Sequence, residues 1–339
     1  MHVRVGINGF GRIGRGFVRS VIERDAPVEI VAVNDPNPGE SLAHLLEFDT
    51  VHGRLATSVD HIGGALALAG RRIELVGTRD PSAIPWDDFG VDVVIESTGR
   101  FTGRDTAAVH LESGAERVLI SAPSPDADLT VCMGVNHDDF EPESHRVISN
   151  ASCTTNCLAP MVKVLHEAFG LRSGFVTTVH AFTNDQNLLD LGHRDLRRGR
   201  CATQNITPST TGAARSIGSV FPDAVGRLDG LAMRVPVPDG SITDLVCSLE
   251  RHPERDELNA VFELAAATSL AGILEYTDRP YVSSDIVGNP HSCVFSARDT
   301  MVGPDMVKVL GWYDNEWGYA NRLVDLAVHV GAPTAALVA

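Results

Sequence analysis

Along the first third of the chain, short β-branched apolar runs alternate with stretches whose apolar residues recur at helical spacing. Val3–Asn8 puts residues 3, 5 and 7 on one face of a strand, and Ile13, Phe17, Val18, Val21 and Ile22 then repeat along one helix face. Residues 28–33, 91–96 and 118–121 read as later strands. This βαβ rhythm predicts an α/β fold whose N-terminal part is a Rossmann-type, doubly wound parallel sheet. After about residue 150 the pattern changes. Residues 173–183, 229–237 and 241–250 are longer and alternate more, which predicts a second, α+β part with a mixed or antiparallel sheet. Between them, residues 184–212 are polar, rich in Arg, Thr and Gly, and almost without period; a long ordered loop of this kind is usually functional. Residues 319–330 carry Leu323, Val324, Leu326, Ala327 and Val330 on one face and read as a closing helix.

With 339 residues, two domains are expected. The charge is −16, from 28 basic and 44 acidic residues, and no long basic run occurs, so neither a nucleic-acid nor an anionic-membrane partner is expected. No uninterrupted apolar stretch approaches a membrane span. The first residues run straight into a strand with no signal-peptide pattern, which points to the cytoplasm. Six cysteines stand at 132, 153, 157, 201, 247 and 293, without a C-x-x-C or Cys/His spacing, so no metal site is expected.

Gly9-Phe10-Gly11-Arg12-Ile13-Gly14 is a G-x-G-x-x-G between a predicted strand and a predicted helix, and Asp35 ends the next strand. Gly9 suits the tight turn, Gly11 lets backbone approach a pyrophosphate, and Gly14 lets helix and strand pack closely. The helix N-terminus attracts phosphate. Asp35 can accept hydrogen bonds from a ribose diol and repels a 2′-phosphate, which favours NAD over NADP; on this motif alone FAD stays open.

Ser152-Cys153-Thr154-Thr155-Asn156-Cys157 precedes the helical pattern Leu158, Met161, Val162, Leu165 and Phe169. Cys153 is thus expected at a helix N-terminus, where the dipole favours a thiolate. A thiolate needs an acid–base partner, and His180 closes the β-rich run from Phe175. The expectation is that His180 and Cys153 form an ion pair that lowers the thiol pKa. Cys157, one turn further in, is expected to be a packed core residue.

These motifs carry a resemblance. The segments Ile7 to Arg15, Ala151 to Pro160, Thr178 to Gln186, Ser209 to Ala214, Arg234-Val235-Pro236 and Trp312 to Glu316 closely resemble the phosphorylating glyceraldehyde-3-phosphate dehydrogenase family, over essentially the whole chain. The resemblance implies an NAD-binding domain at residues 1–152, a catalytic domain at 153–317, and a C-terminal helix at 318–339 that returns to the first domain. It implies NAD-dependent oxidation of glyceraldehyde 3-phosphate, with inorganic phosphate, to 1,3-bisphosphoglycerate. Cys153 resembles the family's nucleophile and His180 its base. Ser152, Thr154, Thr211 and Gly212, with Arg197 nearby, resemble the residues around inorganic phosphate, and Thr183 and Arg234 those around the substrate's own phosphate. Arg12, Ile13, Asp35, Arg79, Ser121 and Asn315 resemble NAD contacts. The 184–212 stretch resembles a loop that packs beside a neighbouring subunit's cofactor, which implies a homotetramer.

The chain departs from the family at a few places. Gly192 stands where NAD-specific members usually carry Pro, and Arg215 replaces a usual Lys. An erythrose-4-phosphate dehydrogenase shares the Cys/His pair, but Thr183 and the 209–214 pattern favour the glyceraldehyde phosphate. A duplicate enzyme tolerant of an electrophilic inhibitor is a further alternative.

Overall fold

The structure, a computed structural model, describes residues 2–331, the Arg215 side chain excepted; positions 332–339 of the expected C-terminal segment lie outside the described residues. The described residues form two compact units. One takes in those within Met1–Val131, His137–Ala151 and Ala320–Ala339; the other takes in Cys132–Asn136 and Ser152–Tyr319.

The first unit is built on a nine-stranded sheet. Strand Val3–Asn8 lies at its middle, with Val28–Asn34 parallel on one side and Val93–Glu96 parallel on the other. The chain therefore leaves the first strand in opposite directions, and the crevice at the strands' C-terminal ends is a topological switch point. Val93–Glu96 is buried at all four positions, as expected of a parallel strand covered on both faces. The antiparallel hairpin of Ala65–Leu68 on Arg71–Val76 extends one edge. Helix Trp317–Gly331 begins in the second unit, and its later part packs in the first, where Ser20 Oγ donates to Asn321 Oδ1 at 2.9 Å and Arg24 pairs with Asp325.

The second unit carries an eight-stranded mixed sheet. Leu171–Ala181 pairs parallel with Leu228–Val235 and antiparallel with Ser241–Leu249, which pairs antiparallel with Val307–Tyr313. In Ser241–Leu249 every second residue is buried, the period-two signature of a sheet with one covered face. Helix Cys153–Phe169 lies on that face, and most of its residues are buried, including Cys157, Leu158, Met161 and Leu165. Among the described residues no helix is long and apolar enough to cross a membrane.

Candidate active site and dinucleotide crevice

In the first unit, Gly9, Gly11, Asp35 and Arg79 line a crevice together with Asn8, Asn34, Thr78, Ser97 and Thr98. The glycine pattern has a steric basis. Gly9 sits at φ +94°, and a Cβ there would come within 2.6 Å of the Thr98 nitrogen; a Cβ on Gly14 would come within 2.4 Å of the Gly9 carbonyl oxygen. A Cβ on Gly11 would meet nothing, so the turn is open to a ligand above it. Gly11 is also the cap of helix Arg12–Glu23 and offers no side chain to the helix start, whose dipole favours an anion. Asp35 is held rigidly: Oδ2 accepts from the Phe10 N–H at 2.9 Å, and Oδ1 accepts from the Asn37 backbone and side-chain N–H groups at 3.0 and 2.8 Å. The crevice thus fits a dinucleotide with free ribose hydroxyls. Arg12 instead grips Asp49 through both Nη atoms, at 2.8 and 3.2 Å, and so braces the start of the helix. Ile13 is half-buried in the same first turn, and the Ser121 N–H bonds the Glu96 carbonyl at the adjacent strand end. Asn315 belongs to the second unit, where its Oδ1 accepts from Ser241 Oγ at 2.6 Å.

In the second unit, Ser152 caps helix Cys153–Phe169, its Oγ accepting from the Thr155 N–H at 3.0 Å. Just before it, Ala151 sits at φ +55°, a strained conformation for a residue with a Cβ, of the kind that concentrates at functional sites. Cys153 is the first helical residue and is part-exposed. Its Sγ lies 3.4 Å from His180 Nε2. His180 is placed by strand Leu171–Ala181, and the edge of its ring meets Tyr313, 5.9 Å between centroids. Tyr313 Oη is shared by the hydroxyls of Thr154, at 2.9 Å, and Thr178, at 2.8 Å, so it ties the helix start to the strand that carries the base.

The electrostatics differ from the expected ion pair. Burial first, and then the Arg234 guanidinium, push His180 down to about 3, while burial pushes the Cys153 thiol up to about 11 against the opposing pull of Arg234 and Thr154. Both shifts run against the expected ion pair: burial favours the uncharged imidazole and the uncharged thiol. Arg234 adds to burial on the His180 side: its positive charge, with Nη1 at 2.7 Å from His180 Nδ1, disfavours a second positive charge on the ring. His180 Nδ1 also lies 2.7 Å from the Ala181 carbonyl oxygen. A carbonyl needs a donor and a guanidinium needs an acceptor, so Nδ1 serves one at a time. With its proton on the Ala181 side, Nε2 presents a lone pair to Cys153, the form a general base requires.

The two neighbouring arginines of the 184–212 loop go different ways. Arg197 is exposed, and its Nη1 reaches the Pro208 carbonyl at 3.4 Å. Arg198 turns inward: it pairs with Asp185, donates to the Thr210 carbonyl at 3.2 Å, and contributes to the field that depresses His180. Of the two, the structure thus brings Arg198 rather than Arg197 toward His180. The cause is a turn in which both backbone N–H groups bond Asp195 Oδ1, at 2.9 and 3.4 Å, so that successive side chains diverge. Arg234 keeps a buried Nε with no hydrogen-bond partner, and the buried Arg198 Nε lies 3.7 Å from Asp195 Oδ2. Thr183 follows the His180 strand, half-buried; Thr211 Oγ1 accepts from the Ala213 N–H at 3.2 Å, and Gly212 is exposed beside it. Thr154 points its hydroxyl inward to Tyr313 rather than outward.

A switch-point crevice that fits a dinucleotide, and a thiol–imidazole pair flanked by guanidinium groups, are the features of an NAD-dependent oxidoreductase. Comparison with known proteins makes the family specific. Residues 3–104 match the NAD binding domain of glyceraldehyde 3-phosphate dehydrogenase, and residues 152–315 match its C-terminal domain. The chain is 56% identical over 333 residues to the glyceraldehyde-3-phosphate dehydrogenase of Streptomyces coelicolor and 55% identical over 332 residues to glyceraldehyde-3-phosphate dehydrogenase 2 of Streptomyces avermitilis. It is 52% identical over 333 residues to the enzyme of that name from Geobacillus stearothermophilus. Each alignment covers 98% of this chain and 99% of the relative. The chain belongs to the glyceraldehyde-3-phosphate dehydrogenase family, with NAD as cofactor. The erythrose-4-phosphate alternative is not favoured.

Proposed function

We propose that the enzyme is the phosphorylating kind and forms a thioester on Cys153. The observation that carries this reading is the 3.4 Å contact of Cys153 Sγ with His180 Nε2 at a capped helix start, with Arg234 and Arg198 beside it. Gly9, Gly11, Gly14 and Asp35 would hold NAD, which supplies a two-electron acceptor when bound. The remaining work falls to the chain. The Cys153 sulfur bonds the aldehyde carbon while His180 takes the thiol proton and returns it to the new hydroxyl. His180 then removes the hydroxyl proton as the carbon is oxidised, which leaves an acyl group on sulfur. An inorganic phosphate oxygen attacks the acyl carbon, the C–S bond breaks, and the proton held by His180 returns to sulfur, which restores the thiol. Thr183 and Arg234 bind the substrate's phosphate; Arg198 takes the place first given to Arg197, with Ser152, Thr211 and Gly212 completing the inorganic-phosphate seat and Thr154 supporting the thiolate from within.

The arginine assignment has a direct test in steady-state kinetics with inorganic phosphate varied. A charge-assisted hydrogen bond to phosphate contributes about 1.5–3 kcal/mol, so Arg198→Leu should raise the phosphate KM by roughly ten-fold or more. Arg197→Leu should leave it within about two-fold. The reverse ranking would return the role to Arg197.

The loop also bears on assembly. Leu188, Leu189, Leu191, Leu196 and Ile206 are all strongly exposed along it. Apolar side chains in that number on one loop call for a covering surface, and copies of the same chain in a dihedral homotetramer supply it. Light scattering at micromolar protein should give a mass near four chains; a fully active monomer would refute the assembly.

A further inference from the structure

The dinucleotide crevice rests on a buried charge. Glu96 ends the central strand Val93–Glu96, and its side chain is almost completely buried. Four donors converge on it. Oε1 accepts from the Thr98 N–H at 2.9 Å and from the Thr98 hydroxyl at 2.5 Å. Oε2 accepts from Asn8 Nδ2 at 2.6 Å and lies 3.1 Å from His110 Nε2. The proton on His110 can be assigned by elimination. Trp86 Nε1 can only donate, and it lies 3.0 Å from His110 Nδ1, so Nδ1 is the acceptor and Nε2 carries the hydrogen that faces the carboxylate. Every partner of Glu96 is thus a donor, and both carboxylate oxygens act as acceptors.

The network runs from this carboxylate to the crevice wall. Asn8 Oδ1 accepts from Asn34 Nδ2 at 2.8 Å, and Asn34 clasps the Thr78 backbone from both sides, accepting from its N–H and donating to its C=O, each at 3.0 Å. Asn8, Asn34, Thr78 and Thr98 all line the crevice; Glu96, His110 and Trp86 lie behind it. For stability alone this is a poor device, since a buried charge costs desolvation and well-packed apolar residues of the same volume often do as well or better. Its distinctive effect is to fix four polar groups, on two strand ends and two following loops, at the place where the strands diverge and a ligand enters.

We infer that Glu96 is a positioning residue for the cofactor: its buried carboxylate orients Asn8, Thr98 and, through Asn8, Asn34 and Thr78, so that the dinucleotide meets a wall already in its binding arrangement. This rests on the crevice being the seat of NAD. Preorganisation of this kind shows as affinity, because the cost of ordering the wall is met on folding instead of on binding. Glu96→Gln keeps the shape but turns one acceptor into a donor that faces other donors.

Calorimetric titration of NAD into the full-length enzyme tests this. Glu96→Gln should raise the NAD dissociation constant about ten-fold, while kcat at saturating NAD stays within about two-fold. Thr98→Val, which removes a single donor and keeps the volume, should raise the constant in the same direction by less. Unchanged NAD affinity in both variants, with only a lower melting temperature, would reduce Glu96 to a scaffold element. If Glu96→Gln does not fold, Thr98→Val decides alone: raised supports the inference and unchanged overturns it. Asp35→Ala runs as the reference, because an NAD affinity indifferent to it would instead refute the crevice as the seat.

Discussion

Cys153→Ser should abolish NADH formation from glyceraldehyde 3-phosphate, with kcat lowered by a factor on the order of 10⁵, the scale seen when a nucleophile is removed from a catalytic unit. Serine puts an oxygen at the same helix start, so capping and packing are kept. What it removes is an atom whose anion can be reached. Even with burial pushing the thiol up to about 11, Arg234, Thr154 and the helix N-terminus hold a thiolate within reach. A hydroxyl begins several units higher and is a far weaker nucleophile at neutral pH. NAD affinity and melting temperature should stay close to those of the parent. Residual turnover above about one per cent would show that carbon–sulfur bond formation is not on the path.

His180→Asn should lower kcat by roughly 10² to 10⁴, the usual contribution of a positioned general base. The imidazole stays neutral throughout the physiological range because burial and Arg234 push it down to about 3. It is therefore a ready acceptor that need not first lose a proton. Asparagine fills part of the space but cannot accept and return a proton. The KM for inorganic phosphate should change little, since Arg198, Ser152, Thr211 and Gly212 remain. Alkylation of Cys153 by iodoacetamide should slow near neutral pH as well. A kcat loss under about ten-fold, with an unchanged alkylation profile, would assign the base to another group.

How far the sequence carried this account depended on whether the signal was local. The glycine turn and the helix start at Cys153 are written in adjacent residues, and Gly9 and Gly14 show in the structure the tight turn and close packing that the pattern implies. The mixed second sheet was legible from alternation, as in Ser241–Leu249. Arg198 was not, because two neighbouring arginines in a stretch without period look alike, and only the turn around Asp195 separates them. Tyr313 could have been found: it sits on the buried face of Val307–Tyr313, where a hydroxyl must have partners. Glu96 carried a signal too, an acid ending the apolar run Val93-Val94-Ile95 in a strand expected to be covered on both faces. The downward push on His180 was beyond the sequence, because it comes from burial and from a guanidinium that arrives from a different strand, 54 residues further along.

The central claim is that Cys153 holds an acyl group that only phosphate removes efficiently. The most direct measurement is a rapid-mixing record of NADH at high enzyme concentration, with saturating NAD and glyceraldehyde 3-phosphate and no inorganic phosphate. The account predicts a burst equal to the number of active sites, then near-silence, then steady turnover once phosphate or arsenate is added. Sustained NADH formation without phosphate, giving 3-phosphoglycerate, would contradict it and make the enzyme a hydrolytic dehydrogenase.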